Sequence, residues 1–177
     1  AASTARVIGW ALRAGAERGA RERGRDAGDV RRECHFPRRR RRYSVAPDKV
    51  WGAWTDPQAV RQWWGPGGQD PVSVAELDVR AGGRLRIVFG GPDGKAHECQ
   101  GIYREVVPNR KLVFTWSWPN STPERVSLVT ILFKQVAGGT ELVFVHEQFF
   151  DEAARDGHRR GWSESFAKLE VFLQENN

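Results

Sequence analysis

Apolar positions recur along this chain in two periods, and the change from one to the other divides it into elements. Between residues 71 and 149 large apolar side chains alternate with polar ones in short runs separated by turn signals. A period of two sends successive side chains to opposite faces of a strand. "PVSVAELDVR" ends at Ala-Gly-Gly, and "RLRIVFG" sets Leu85, Ile87 and Phe89 against Arg84, Arg86 and Val88 before the hairpin signal "GGPDG". "KAHECQGIYREVV" runs to Pro108-Asn109, "KLVFTWSW" follows that turn, and "RVSLVTILFKQV" and "TELVFVHEQF" are joined by Ala-Gly-Gly. The last segment changes period. His158, Gly161, Trp162, Ser165, Phe166, Leu169, Phe172 and Leu173 recur at steps of three and four, the stripe of one buried helix face. Asp151, Glu152 and Asp156 sit early in it, where negative charge complements the helix dipole.

Ahead of the strands, "RRYSVAP" reads as the end of a first strand. Pro47 then opens a helix, "PDKVWGAWTD", because its missing N–H costs nothing in the first turn. Val50, Trp51 and Trp54 share one face of it. Asp56 before Pro57 caps a second short helix carrying Val60, Trp63 and Trp64, which Gly-Pro-Gly-Gly stops. Neighbours on a helix lie about 100° apart, so Trp63 and Trp64 cannot both enter one small core from it. One ring is expected to pack inward and the other to face a cavity. The order of elements predicts an α+β fold: a curved antiparallel sheet of six or seven strands wrapped around a long C-terminal helix, with two short helices after the first strand. The space between sheet, long helix and helix pair is a natural ligand cavity.

Charge alters the picture only at the N-terminus. Residues 1–42 hold 13 arginines against 5 acidic residues, a balance of +8, which leaves 15 basic and 17 acidic residues for the remainder. Residues 1–36 therefore form a basic, low-complexity leader with too few large apolar residues for a core, and disorder is expected there; residues 37–177 form the domain. The run of five arginines, residues 38–42, has two readings: a solvated tail, or a phosphate-binding stretch for nucleic acid or anionic lipid. Nucleic acid is otherwise not an expected partner. Cys34 and Cys99 are too few for a disulfide scaffold and read as free thiols of a reducing compartment. No stretch approaches the roughly 18 apolar residues of a membrane span, and "ARVIGWALRAGA" lacks the basic-then-apolar order of a signal peptide, so a cytoplasmic place is expected.

The residues that could carry chemistry cluster on inward strand faces. Leu112, Phe114, Trp116 and Trp118 share one face, which should look at the long helix, and His146 shares a face with Leu142 and Phe144. Buried among rings, His146 needs a partner: it is either a satisfied core histidine or a group that polarises a ligand. Gly101 leaves room beside Tyr103, whose hydroxyl either meets a ligand or stays wet at a strand edge. Gly161 beside Trp162 suggests close helix-to-sheet approach. The expected ligand-facing set is Trp64, Phe89, Tyr103, Trp116, His146, Trp162 and Phe166. The chain has no G-x-S-x-G elbow, phosphate loop, dinucleotide fingerprint or H-E-x-x-H helix. Cys34-His35 and His97-x-Cys99 lack customary zinc spacing, and neither metal nor cofactor is expected.

The succession "SVAPDKVWGAWTDPQAVRQWWGP", "GIYREVVPNRKLVFTW", "GGTELVFVHEQF" and "GHRRGWSESFAKLEVFL" resembles bacterial single-domain proteins homologous to the activator of heat-shock-protein-90 ATPase, over about residues 40–175. That family belongs to the START-like, helix-grip superfamily, which includes polyketide cyclases and lipid-transfer domains. The resemblance implies the helix-grip fold and a site for an apolar ligand, without naming the ligand. The stretch "HFPRRRRRYS" departs from the alternating first strand usual there, and the leader has no counterpart of the second domain that eukaryotic co-chaperones carry. The resulting expectation is a monomer or homodimer that binds one small hydrophobic or aromatic molecule in an internal cavity. A cyclase- or hydrolase-like enzyme using His146 as acid and base, and a co-chaperone or protein-interaction module, are the alternatives.

Overall fold

Proline and aspartate set the two short helices. In the computed structural model, which describes residues 38–66, 72–90 and 94–177, α1 (Pro47–Thr55) begins at its proline, with Asp48 in the first turn. Asp56 accepts the Gln58 amide at 2.8 Å and so caps α2 (Pro57–Trp63). Seven strands follow the predicted runs: β1 (Arg39–Tyr43), β2 (Val72–Leu77), β3 (Arg84–Gly90), β4 (Ala96–Val107), β5 (Lys111–Trp118), β6 (Thr122–Val136) and β7 (Gly139–Glu147). They form one antiparallel sheet in the order β1-β7-β6-β5-β4-β3-β2. The final helix, α3 (Glu152–Glu175), is capped by Asp151, which accepts the Ala154 amide at 2.7 Å.

The core lies between the inward sheet face and α3. Leu85, Ile87 and Phe89 of β3, Leu112, Phe114 and Trp116 of β5, Val129 and Ile131 of β6, and Leu142 and Phe144 of β7 are all buried there. The helical stripe meets them as its period requires: His158, Gly161, Trp162, Ser165, Phe166, Leu169 and Leu173 are buried. The chain thus has the α+β, helix-grip architecture, with seven strands.

The arginine run is not a solvated tail. Arg39–Tyr43 pairs with β7 from Arg39↔Phe144 to Tyr43↔Thr140, so that Arg39, Arg41 and Tyr43 alternate with Arg40 and Arg42 across the two sheet faces. Arg40 meets Glu141 at 3.9 Å. The strand is anchored at its end, where Thr140 Oγ1 donates to the Val45 carbonyl at 2.7 Å. Cys34, His35 and the leader through residue 37 lie outside the described residues. A second departure from simple alternation is a bulge between Tyr103 and Glu105 in the β4–β5 pairing.

Gly139 holds β1 close to the β6–β7 hairpin. Its φ is 147°, and a Cβ there would stand 2.0 Å from the Tyr43 carbonyl oxygen. Gly139→Ala should therefore separate β1 from β7 and cost more than about 2 kcal/mol in denaturant unfolding, beyond the usual surface substitution. A cost near zero would mean that β1 is not packed this way.

Candidate functional site

The adjacent tryptophans reach the same interior because only one of them is helical. Trp63 ends α2, fully buried, with its indole Nε1 donating to the Ala53 carbonyl at 2.8 Å. Trp64 is the C-cap residue in extended conformation, φ −69° and ψ 150°, which redirects its ring into the core. The Trp64 ring stacks on Trp116 with centroids 5.7 Å apart and stands edge-on to Trp162 at 5.3 Å. The Trp64 side chain also hydrogen-bonds the Cys99 thiol, which burial pushes far above its ordinary pKa, and the Trp64 carbonyl accepts from Lys168 Nζ at 3.3 Å. Both rings thus belong to one core, where one inward and one cavity-facing ring were expected.

Two histidines occupy the centre, with ring centroids 4.9 Å apart. His146 is fully buried; its Nδ1 accepts from the Trp162 indole at 3.0 Å, and its Nε2 lies 2.8 Å from Ser127 Oγ. An indole N–H can only donate, so Nδ1 is the bare nitrogen and Nε2 carries the proton that goes to Ser127. Ser127 Oγ in turn lies 3.4 Å from the Trp116 carbonyl. His158 has the opposite tautomer by the same logic: Nε2 accepts from the Trp118 indole at 3.1 Å and Nδ1–H donates to the Ala154 carbonyl at 2.8 Å. Burial holds both rings neutral. His146 is pushed well below the ordinary imidazole pKa by desolvation and then by His158. His158 is pushed down to about 4 by desolvation, against the opposing hydrogen bond to Ala154.

A cavity of about 20 Å³ opens beside this centre, between the end of α2, β3, β5 and α3. That is room for about one water. Of the expected ligand-facing residues, Trp64, Phe89, Trp116 and Trp162 line it; His146, Phe166 and Tyr103 do not. His146 and Phe166 stand directly behind the wall, His146 through its bond to Trp162 and Phe166 with its ring 5.9 Å from that of Trp162. Tyr103 packs edge-on to Phe114 at 5.7 Å and is buried in the β4–β5 layer. Three lining residues were read from the sequence as helix core only: His158, Gly161 and Ser165. Their signal was present in the buried stripe of α3. Ser127 was passed over, although it falls on the inward period of β6 with Val129 and Ile131.

Trp116 supplies the cavity wall's one conspicuous polar asymmetry. It is only 4% exposed, and its indole Nε1 has no hydrogen-bond partner. The Trp54 indole and the Tyr43 hydroxyl are unmet in the same way but lie outside this cavity. Among the described residues no group of three or more His, Cys, Asp or Glu side chains is placed to hold a metal. His97 stacks on Phe89, and Cys99 is a buried free thiol.

Comparison with known proteins agrees with this fold. The profile of the Activator of Hsp90 ATPase homolog 1-like protein family matches residues 44–174. A solved protein of Chromobacterium violaceum is similar at 27% identity and a TM-score of 0.71, covering 78% of this chain and 96% of its own. The AHSA1 protein of Silicibacter pomeroyi is 26% identical with a TM-score of 0.71, covering 81% of this chain and 99% of its own. A protein of Rhizobium leguminosarum is 29% identical with a TM-score of 0.67, covering 80% and 95%. No significant match is found among curated proteins.

The neutral histidines set the acid sensitivity of the fold. Their folded pKa values lie below the unfolded value, so below about pH 6.5 the unfolded chain takes up protons that the folded chain refuses, and stability falls as pH drops. Between pH 7 and 5, His158 alone should remove about 2 kcal/mol, and His146 adds a loss of the same sign. Glu98, held low by its hydrogen bond to Arg86, contributes only below the ordinary carboxylate range, so this window isolates the histidines. Urea unfolding at the two pH values checks it, with His158→Gln flattening the dependence; equal stability at both would contradict buried neutral rings.

Proposed function

The chain belongs to the Activator of Hsp90 ATPase homolog 1-like family, and from that premise we propose that it binds one small, mainly apolar or aromatic molecule at the tryptophan–histidine centre. The observation that carries this reading is Trp116. A buried, unmet indole N–H costs on the order of 1 to 3 kcal/mol, and a carbonyl, ether or hydroxyl oxygen of a ligand recovers it. The ring walls of Trp64, Phe89, Trp116 and Trp162 supply contact, and the one polar donor fixes orientation, which is how apolar sites combine affinity with specificity.

A ligand larger than water requires the wall to move, and Trp64 is its weakest part. Trp64 stands at a helix end, followed by Gly65 at φ 88° and by Pro66, and its ring is held by a thiol acceptor rather than by a strong hydrogen bond. Swinging that ring aside opens the space between β5 and α3.

Binding rather than turnover is favoured by the histidine tautomers. A hydrolase-like dyad needs an imidazole nitrogen that takes the serine proton, whereas His146 Nε2 already carries one, because Trp162 holds the other nitrogen as acceptor. The protein-interaction reading is supported by one observation, the smallness of the cavity beside the ~300–1,000 Å³ of ordinary ligand sites. A cytoplasmic place of action belongs to the same proposal; no helix among the described residues is long and apolar enough to cross a membrane.

Native and denaturing mass spectra of freshly purified protein test the proposal: a reproducible extra mass held only by the folded chain is expected. Trp64→Ala removes the movable wall and should cost about 3–5 kcal/mol, and indole, which fits the void, should raise the melting temperature of that variant by about 5 °C at tenfold its Kd. A bare native spectrum together with no indole response in Trp64→Ala would refute the binding site and leave the interaction module.

A further inference from the structure

Five consecutive arginines are a solvation problem if they are merely a tail, and a different object once four of them are paired into a sheet. Among the described residues β1 is an edge strand of the sheet, hydrogen-bonded to β7. Its alternation splits the charge: Arg40 and Arg42 project on the outer face, and Arg39 and Arg41 on the face toward α3. Same-face arginines on a strand repeat at about 6.6 Å, close to the separation of successive phosphates along one extended nucleic-acid strand. The pattern therefore presents cations in a straight row at a fixed interval.

Burial, and after it the charges of Arg41 and of Arg159 on α3, disfavours the partly buried Arg39 cation. Arg41 rests its guanidinium 5.9 Å from the centroid of the Phe166 ring, which holds it extended along the seam. Among the described residues, Glu141 pairs with Arg40 on the outer face, and Glu170 lies farther along α3 beside Tyr43. Like charges crowded at an exposed edge gain most from an anion that runs the length of the strand.

We propose that β1 is a docking ridge for a chain of phosphates, the backbone of a single-stranded nucleic acid, gripped by Arg38 to Arg42 and Arg159. The absence of an apolar anchor on the ridge favours this partner over a lipid surface. Among the described residues the exposed large apolar side chains are Val107, Val126, Phe150 and Val171, none of them on β1. Contact is through phosphates alone, so binding is independent of base sequence and steeply dependent on salt.

Fluorescence anisotropy of the full chain with a labelled oligothymidylate of about 20 nucleotides tests the proposal. With about four phosphate contacts, log K should fall with log salt at a slope of about −2.8, or roughly 50-fold between about 50 and 200 mM. Arg159→Gln alters an exposed helical position and should reduce the slope by about 0.7; the Arg40→Gln, Arg42→Gln double variant should reduce it by about twice that. Inorganic polyphosphate should compete, as the shared chemistry requires. Unchanged affinity and slope in both variants would assign binding to residues 1–37 and overturn the ridge. So would no binding at about 50 mM salt, or capture of phosphatidylserine vesicles that the oligonucleotide does not displace.

Discussion

Two hydrogen bonds from indole to imidazole, Trp162 to His146 and Trp118 to His158, govern the centre of this molecule. Each crosses from sheet to helix: His146 on β7 meets Trp162 on α3, and Trp118 on β5 meets His158 on α3. They satisfy imidazoles that would otherwise be unmet polar groups in an apolar core, and they do so with donors that cannot also accept. The bonds therefore fix the rotation of two helix side chains, the depth at which α3 sits on the sheet, and the protonation state of both rings.

Much of the remaining arrangement follows from that constraint. With Trp162 committed to His146, its ring becomes a wall between Trp64, Trp116 and Phe144, at centroid distances of 5.3, 5.4 and 4.6 Å. Trp116 is left beside the small void with its own N–H unmet.

What could be read from the sequence was what periodicity encodes. The stripe of α3 and the inward face of β5 followed from steps of three and four and of two, and the paired turn residues placed the hairpins. Of β1 only the end was read, at "RRYSVAP", because four of its five residues are arginine and carry no apolar alternation; pairing with β7 and the contact at Gly139 define the rest. Tyr103 was placed toward a ligand by the room expected beside Gly101, where the Thr115 carbonyl stands instead, and it lies in the β4–β5 layer, away from the cavity. His146 was weighed as core or ligand group, and its partner Trp162 sits 16 residues away on another element, beyond the reach of any local pattern. The cavity's volume was illegible for a related reason: it depends on how Trp64 leaves α2, a matter of one residue's backbone angles.

The most direct measurement is the nitrogen-15 NMR spectrum of the two buried imidazoles, followed from pH 7.5 down to about 5. The account predicts a bare Nδ1 and protonated Nε2 for His146, the reverse for His158, and no titration of either over that range, since both are held below the ordinary imidazole pKa. A protonated Nδ1 on His146, or a ring that titrates near pH 6.5, would contradict it: the indole would not be the donor that fixes the centre, and His146 would again be available as an acid and base.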